Sequence, residues 1–183
     1  MMTNEIIITG FGGQGVMLMG QILVTAGMME GKEVSWYPSY GMEMRGGSAN
    51  CAVIVSGKKI GSPLVSTPGV LVAMSLPALA KFVDAVKPGG IILFNSSLIE
   101  SNPRTEDVAS HAVPANEIAN TLKNPRIMNM VMLGALVAAT GVVTRDSLSA
   151  AFRKMFEKKF ANKPELFTVN ENAMTEGMRS VAA

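Results

Sequence analysis

The segment Gly10-Phe11-Gly12-Gly13-Gln14-Gly15 carries the spacing G-x-G-x-x-G directly after the β-branched run Glu5–Thr9. Glycines at these positions permit a tight strand-to-helix turn and let the backbone approach an anion. The N–H groups and dipole of the following helix then favour phosphate. Gly10, Gly12, Gly13, Gln14 and Gly15 are therefore candidate contacts for a phosphate. A dinucleotide site also needs an acidic residue roughly 20 positions further on, at the end of the second strand. Here that strand ends Val34-Ser35-Trp36-Tyr37, and Glu33 stands at its other end. Nicotinamide binding thus loses its main support. A close-packing turn and an anion contact both remain open. No G-x-x-x-x-G-K-[ST] is present, which argues against P-loop nucleotide hydrolysis.

The second informative segment is Pro38–Ser48, PSYGMEMRGGS, which follows the second strand. Ligand sites of parallel sheets lie at that carboxyl edge. Glu43 and Arg45 could pair or orient an anion, and the guanidinium offers a planar fork of donors. The candidate interface or active-site loop comprises Ser39, Tyr40, Gly41, Glu43, Met44, Arg45, Gly46, Gly47 and Ser48, with Asn50 just beyond. The other reactive side chains are less suggestive. Cys51 lies in an apolar strand and reads as a buried, inert thiol. His111 stands alone, Lys58 and Lys59 sit in a turn, and Glu106-Asp107 is an ordinary acidic pair in a loop.

Composition narrows the classes. Of 183 residues, 48% are hydrophobic and only 16% charged, so the chain can fold around a real core. The net charge of +2, from 16 basic and 14 acidic residues, implies no nucleic-acid face. One cysteine and one histidine exclude an internal disulfide, a four-cysteine iron–sulfur cluster and a multi-histidine metal site within this chain. The start, MMTNEIIITGFGG, lacks the features of a secretory signal and reads as a strand opening a cytoplasmic domain. The uncharged stretch between Lys59 and Lys81 is broken by three prolines. That between Arg126 and Arg145 reads as a buried helix and a turn, so no membrane span is expected. Fifteen methionines fit either irregular core gaps or greasy surface covered by partner subunits.

The elements that must position these residues follow from periodicity. Strands are expected at Glu5–Thr9, Glu33–Tyr37, Asn50–Val55, Val70–Met74, Ile91–Phe94 and Val108–Val113. Gly57-Lys58-Lys59 reads as a hairpin turn into Ile60. Helices are expected over Gln14–Glu30 with Gly31 as its stop, from Ser75 as cap through Val83, and over Ala115–Leu122 and Met128–Ala139. Two more cover Asp146–Phe156, capped by Thr144, and Pro164–Arg179. Lys158–Lys163 reads as a charged linker. Alternating strands and helices imply one Rossmann-like α/β domain over residues 1–183, three-layered, with a mainly parallel sheet, helices on both faces and a mostly helical C-terminal part.

Three segments in order carry a resemblance: GFGGQG, PSYGMEMRGG and SANCAVIVSGKKIGSP. Together they resemble the gamma subunit of 2-oxoacid:ferredoxin oxidoreductases. The likeness is strongest from Ile6 to Pro63 and continues through VLVAM and KPGGIILFNSS. Met42 departs from the pattern, where proline is usual. The resemblance implies a complex that oxidatively decarboxylates a 2-oxoacid to acyl-CoA and reduces ferredoxin. It implies alpha, beta and in some assemblies ferredoxin-like delta subunits as partners. Thiamine diphosphate, Mg and iron–sulfur clusters would reside on those partners, because this chain has no G-D-G…N-N signature and no cysteine runs. As the chain's direct contribution, the Glu43–Ser48 loop would line the subunit interface, and either it or the Gly10–Gly15 loop would touch coenzyme A phosphates. NCAVIVS looks more like the 2-oxoglutarate type than the pyruvate type. Pyruvate and branched-chain 2-oxoacids stay open. Exposed interfaces would make the isolated chain inactive and prone to self-association. A stand-alone phosphate- or nucleotide-binding module is the alternative reading, and would be a stable monomer.

Overall fold

The computed structural model describes residues 3–40, 47–100, 103 and 106–182. A six-stranded sheet runs in the order β2-β3-β1-β4-β5-β6. Its strands are β1 (Thr3–Phe11), β2 (Glu33–Tyr40), β3 (Ser48–Ser56), β4 (Val70–Ala73), β5 (Ile91–Asn95) and β6 (Ala109–Val113). β1, β4, β5 and β6 pair in parallel. β3 alone runs the other way, antiparallel to both β1 and β2. The expected mainly parallel α/β architecture is therefore present, with one difference. β1 and β2 are not neighbours, because β3 inserts between them.

That insertion explains a second difference. Ile60 was expected to pair back on β3 through the Gly57 turn. Both edges of β3 are already taken by β1 and β2, so residues 57–69 continue as irregular chain to β4. β2 also runs three residues beyond its expected end, to Tyr40, because its partner β3 starts early at Ser48.

The helices are α1 (Val16–Met29), α2 (Leu76–Phe82), α3 (Ala115–Thr121), α4 (Met128–Thr140), α5 (Arg145–Met155), α6 (Glu157–Asn162) and α7 (Pro164–Ala182). Two apolar layers flank the sheet. Ile6, Ile8, Cys51, Val53, Val72 and Leu93 face α1, α4 and the C-terminal helices. Ile7, Leu71, Ala73, Ile92 and Phe94 face the thinner side, covered by Leu79 of α2 and Val86. α4 is buried from Asn129 to Val137 on every side, which is why the uncharged stretch is a core helix. No described helix is long and apolar enough to cross a membrane. The methionines lie both in the core and on the surface. Met19, Met74, Met130 and Met132 are core, while Met28 and Met29 are exposed.

α1 ends in a Schellman motif. Gly31 has φ +70, its N–H bonds the Met28 carbonyl, and Lys32 N–H bonds that of Gly27. The Lys158–Lys163 segment is not a linker. Most of it lies in α6, whose one large apolar residue, Phe160, is buried against Phe152 and Phe167.

Candidate functional site

The carboxyl ends of β1 and β4 form the centre of the candidate site. They are neighbours, yet their connections leave toward opposite faces, α1 to one side and α2 to the other. Ligands of open α/β sheets bind at such a divergence. β1 runs into the glycine loop at Phe11, and α1 starts at Val16. Gly13 has φ +96 and Gly15 φ +78, so the backbone there needs the freedom only glycine gives cheaply. α1 has no acidic residue in its first turn and no side-chain cap. Its opening N–H groups are available to an anion.

Gln14 holds this loop in shape. Its Oε1 accepts a hydrogen bond from the Phe11 N–H at 2.7 Å, and its Nε2 donates to the Met74 carbonyl at 3.3 Å. The side chain braces the loop on β4, so its contribution to a ligand is made through the backbone. Behind Gly15, the carboxamide of Asn129 fills the space where a β-carbon would sit.

The two sequence segments meet here. Gly12 N–H donates to the Gly47 carbonyl at 3.0 Å. In register, Phe11 faces Ser48, Thr9 faces Asn50, and Asn50 faces Ser39 on β2; Tyr40 faces Ala49. Ser39, Asn50 and Thr9 thus line one row across three strands. Ser39 and Ser48 are exposed, Gly47 and Asn50 half-buried. Gly41, Glu43, Met44, Arg45 and Gly46 lie outside the described residues. β3 separates β2 from β1, so the described end of β2 lies one strand away from β1.

Ser75 was expected to cap α2. It holds the cap position with extended φ and ψ, but its side chain makes no cap bond. Pro77, at the second helical position, has no N–H to offer. The hydroxyl is buried, without a partner among the described residues, at the end of β4 beside the loop. Neither Ser75 nor Asn129 was legible as a site residue. Asn129 reaches Gly15 from a distant part of the chain, and no local pattern marks it. Thr144 caps α5 as expected, accepting from the Ser147 N–H.

Cys51 is buried against Val16 and Gly20, and burial pushes its thiol up to about 12. Burial and a protonated thiol disfavour nucleophilic attack and metal ligation there. Among the described residues no group of three or more His, Cys, Asp or Glu side chains could hold a metal. On the side away from α1, no described helix packs extensively on β2 and β3, and Tyr37 is exposed there.

Residues 5–180 match the family model for pyruvate ferredoxin/flavodoxin oxidoreductase. The ketoisovalerate oxidoreductase subunit VorA of Methanothermobacter thermautotrophicus is 43% identical over 170 residues, covering 93% of this chain and 35% of its own length. The chain therefore spans about a third of that relative. The 2-oxoglutarate synthase subunit KorC of Methanocaldococcus jannaschii is 39% identical over 153 residues, 82% of each chain. Among solved structures, the gamma subunit of a keto/oxoacid ferredoxin oxidoreductase from Geobacter sulfurreducens superposes with a TM-score of 0.82 at 30% identity, covering 98% of this chain and 99% of that one. The 2-oxoglutarate:ferredoxin oxidoreductase of Magnetococcus marinus, solved with 2-oxoglutarate, coenzyme A and succinyl-CoA, gives 0.89 at 26% identity, over 98% of this chain and 31% of that one.

Proposed function

Because the chain belongs to the pyruvate ferredoxin/flavodoxin oxidoreductase family, we propose that it is the gamma subunit of a cytoplasmic 2-oxoacid:ferredoxin oxidoreductase whose substrate is 2-oxoglutarate. The assembly converts the oxoacid and coenzyme A to acyl-CoA and passes electrons to ferredoxin. The observation that carries this reading is the like-for-like match to a 2-oxoglutarate synthase subunit, 82% of both chains. The 43% identity to a ketoisovalerate subunit favours a second reading, a branched-chain 2-oxoacid as substrate.

In this reading the chain's partners are alpha and beta subunits, with a ferredoxin-like delta subunit in some assemblies. Thiamine diphosphate, Mg and the iron–sulfur clusters belong to those partners. The donor set here does not fit a metal or an iron–sulfur cluster: the one cysteine is buried with its thiol near 12, and among the described residues no group of three or more His, Cys, Asp or Glu could hold a metal. The uncovered side of β2 and β3, with Tyr37 exposed, suits burial against another subunit. The chain's own part is to present the Gly10–Gly15 loop, and the Ser39–Asn50 segment beside it, to coenzyme A phosphates. The open N-terminus of α1, with no acidic residue in its first turn, supports that role.

The test is anaerobic affinity purification of the tagged chain from the cells that make it. The eluate is assayed for CoA-dependent viologen reduction with 2-oxoglutarate, 2-oxoisovalerate and pyruvate in turn. Cluster-bearing partners and fastest reduction with 2-oxoglutarate are expected. Fastest reduction with 2-oxoisovalerate selects the second reading. A lone chain without oxoacid activity overturns both.

A further inference from the structure

A cavity of about 340 Å³ lies between Leu18 of α1, the turn Pro125–Ile127, the start of α4 and the aromatic cluster of α5–α7. Its walls are largely apolar, with Met130, Phe152, Phe156 and Phe160 among them. The rings are locked against one another, Phe152 at 5.4 Å from Phe156 and 5.0 Å from Phe160 between centroids, so the walls are preformed rather than collapsible.

Two polar features converge on it. Asn129 is 6% exposed and lines the cavity, with its carboxamide packed against Gly15. Arg126 and Lys159 also line the cavity, and no described carboxylate lines it or pairs with either cation. Asn124 fixes the Arg126 turn, its side-chain oxygen accepting the Arg126 N–H at 3.3 Å. Lys159 lies 5.9 Å from the Phe156 ring centroid, its charge held over the apolar wall.

We propose that this cavity binds a small amphipathic carboxylate. Its apolar chain would lie on Met130 and the phenylalanines. Its headgroup would be held by Arg126 and Lys159. An uncharged hydrocarbon would leave the two cations unanswered, and a small polar anion would leave the aromatic walls wet. The combination selects a molecule with both parts. The site does not rest on the functional reading above. None of its residues belongs to the glycine loop or to the Ser39–Asn50 segment.

Octanoate is the probe, titrated into the full chain by calorimetry, with octanol and acetate as controls. Saturable 1:1 uptake of octanoate is expected, with octanol and acetate each weaker by about tenfold or more. The double variant Arg126→Gln/Lys159→Gln, both exposed side chains, is expected to weaken octanoate about tenfold while leaving the melting temperature unchanged. Leu18→Trp, which fills the cavity from the α1 side, is expected to abolish uptake. No saturable uptake, octanol binding as tightly as octanoate, or equal affinity in the double variant each overturns the proposal.

Discussion

The carboxamide of Asn129 packs against Gly15 in the space that a β-carbon on Gly15 would occupy. The start of α4 thereby supports the left-handed residue that opens α1, and the loop's shape depends on a helix far away in sequence. Gly15→Ala meets two costs. The φ of +78 disfavours an L-residue by about 1–2 kcal/mol, and the methyl must displace the carboxamide. A loss of about 2–3 kcal/mol in denaturant unfolding is expected. Gly15→Ala/Asn129→Ala should lose less than the two single variants summed, because the space is then free and only the backbone cost stays.

Gln14 is a positioning residue for the same loop. Gln14→Ala leaves the Phe11 N–H without its acceptor and frees the loop from the Met74 carbonyl. In the purified complex, the apparent KM for coenzyme A should rise by about three- to tenfold with kcat little changed. Gln14→Glu keeps an acceptor but places a negative charge at the loop proposed to hold coenzyme A phosphate, so its KM should rise further. Arg45→Ala should raise the same KM or weaken assembly. If it changes neither, the loop after β2 has no part in coenzyme A binding.

Glu30 links α1 to α5. Its Oε1 accepts the Thr144 N–H at 2.6 Å, and Lys32 lies 2.7 Å from its other oxygen while also bonding the Val142 carbonyl. Burial alone would raise its carboxyl from the ordinary 4.5. Hydrogen bonds from Lys32, Thr144 and Ser147 outweigh that and hold it at about 2. The folded state therefore prefers the carboxylate. Its stabilisation is present above pH 4.5 and is lost as pH falls toward 2. Partial solvent access limits it to about 1–2 kcal/mol. Glu30→Gln should be less stable than the parent at pH 7, and that gap should close between pH 4.5 and about 2 in urea midpoints. A gap that stays constant over this range would show that the charge is not what matters.

How much of this was readable in sequence depends on range. The glycine loop, the β1 and β4 runs, the Gly31 stop and the Thr144 cap all follow from patterns within a few residues. β3's insertion between β1 and β2 does not. It depends on a long-range choice of pairing, and it alone decided that Ile60 would find no strand edge. α6 was missed because a charged hexamer hides one anchoring residue, Phe160, whose partners Phe152 and Phe167 lie on other helices. Its spacing from Phe152 and Phe156, eight and four residues, was the available signal. Asn129 and Ser75 could not be found locally, since their importance lies in what folding brings beside them or leaves unpaired.

The same lesson applies to the crossing of α4 and α7. Each helix presents a glycine to the other's backbone. A β-carbon on Gly134 would overlap the Met174 carbonyl, and one on Gly177 would overlap that of Val131. From helix propensity alone, alanine at either site should stabilise by about 1 kcal/mol. The contacts are with backbone, which cannot rotate aside as a side chain could, so the helices must separate along their shared face. Separation opens a gap beside Met130, Val131, Leu133 and Val137, all buried. Overpacking of this kind costs about 1–3 kcal/mol or more, which exceeds the propensity gain. Gly134→Ala and Gly177→Ala should each lower stability by about 1–3 kcal/mol in denaturant unfolding. Once one methyl has pushed the helices apart, the second meets less resistance, so the double variant should lose less than the sum. A gain in stability from either single variant would show that propensity outweighs the crossing.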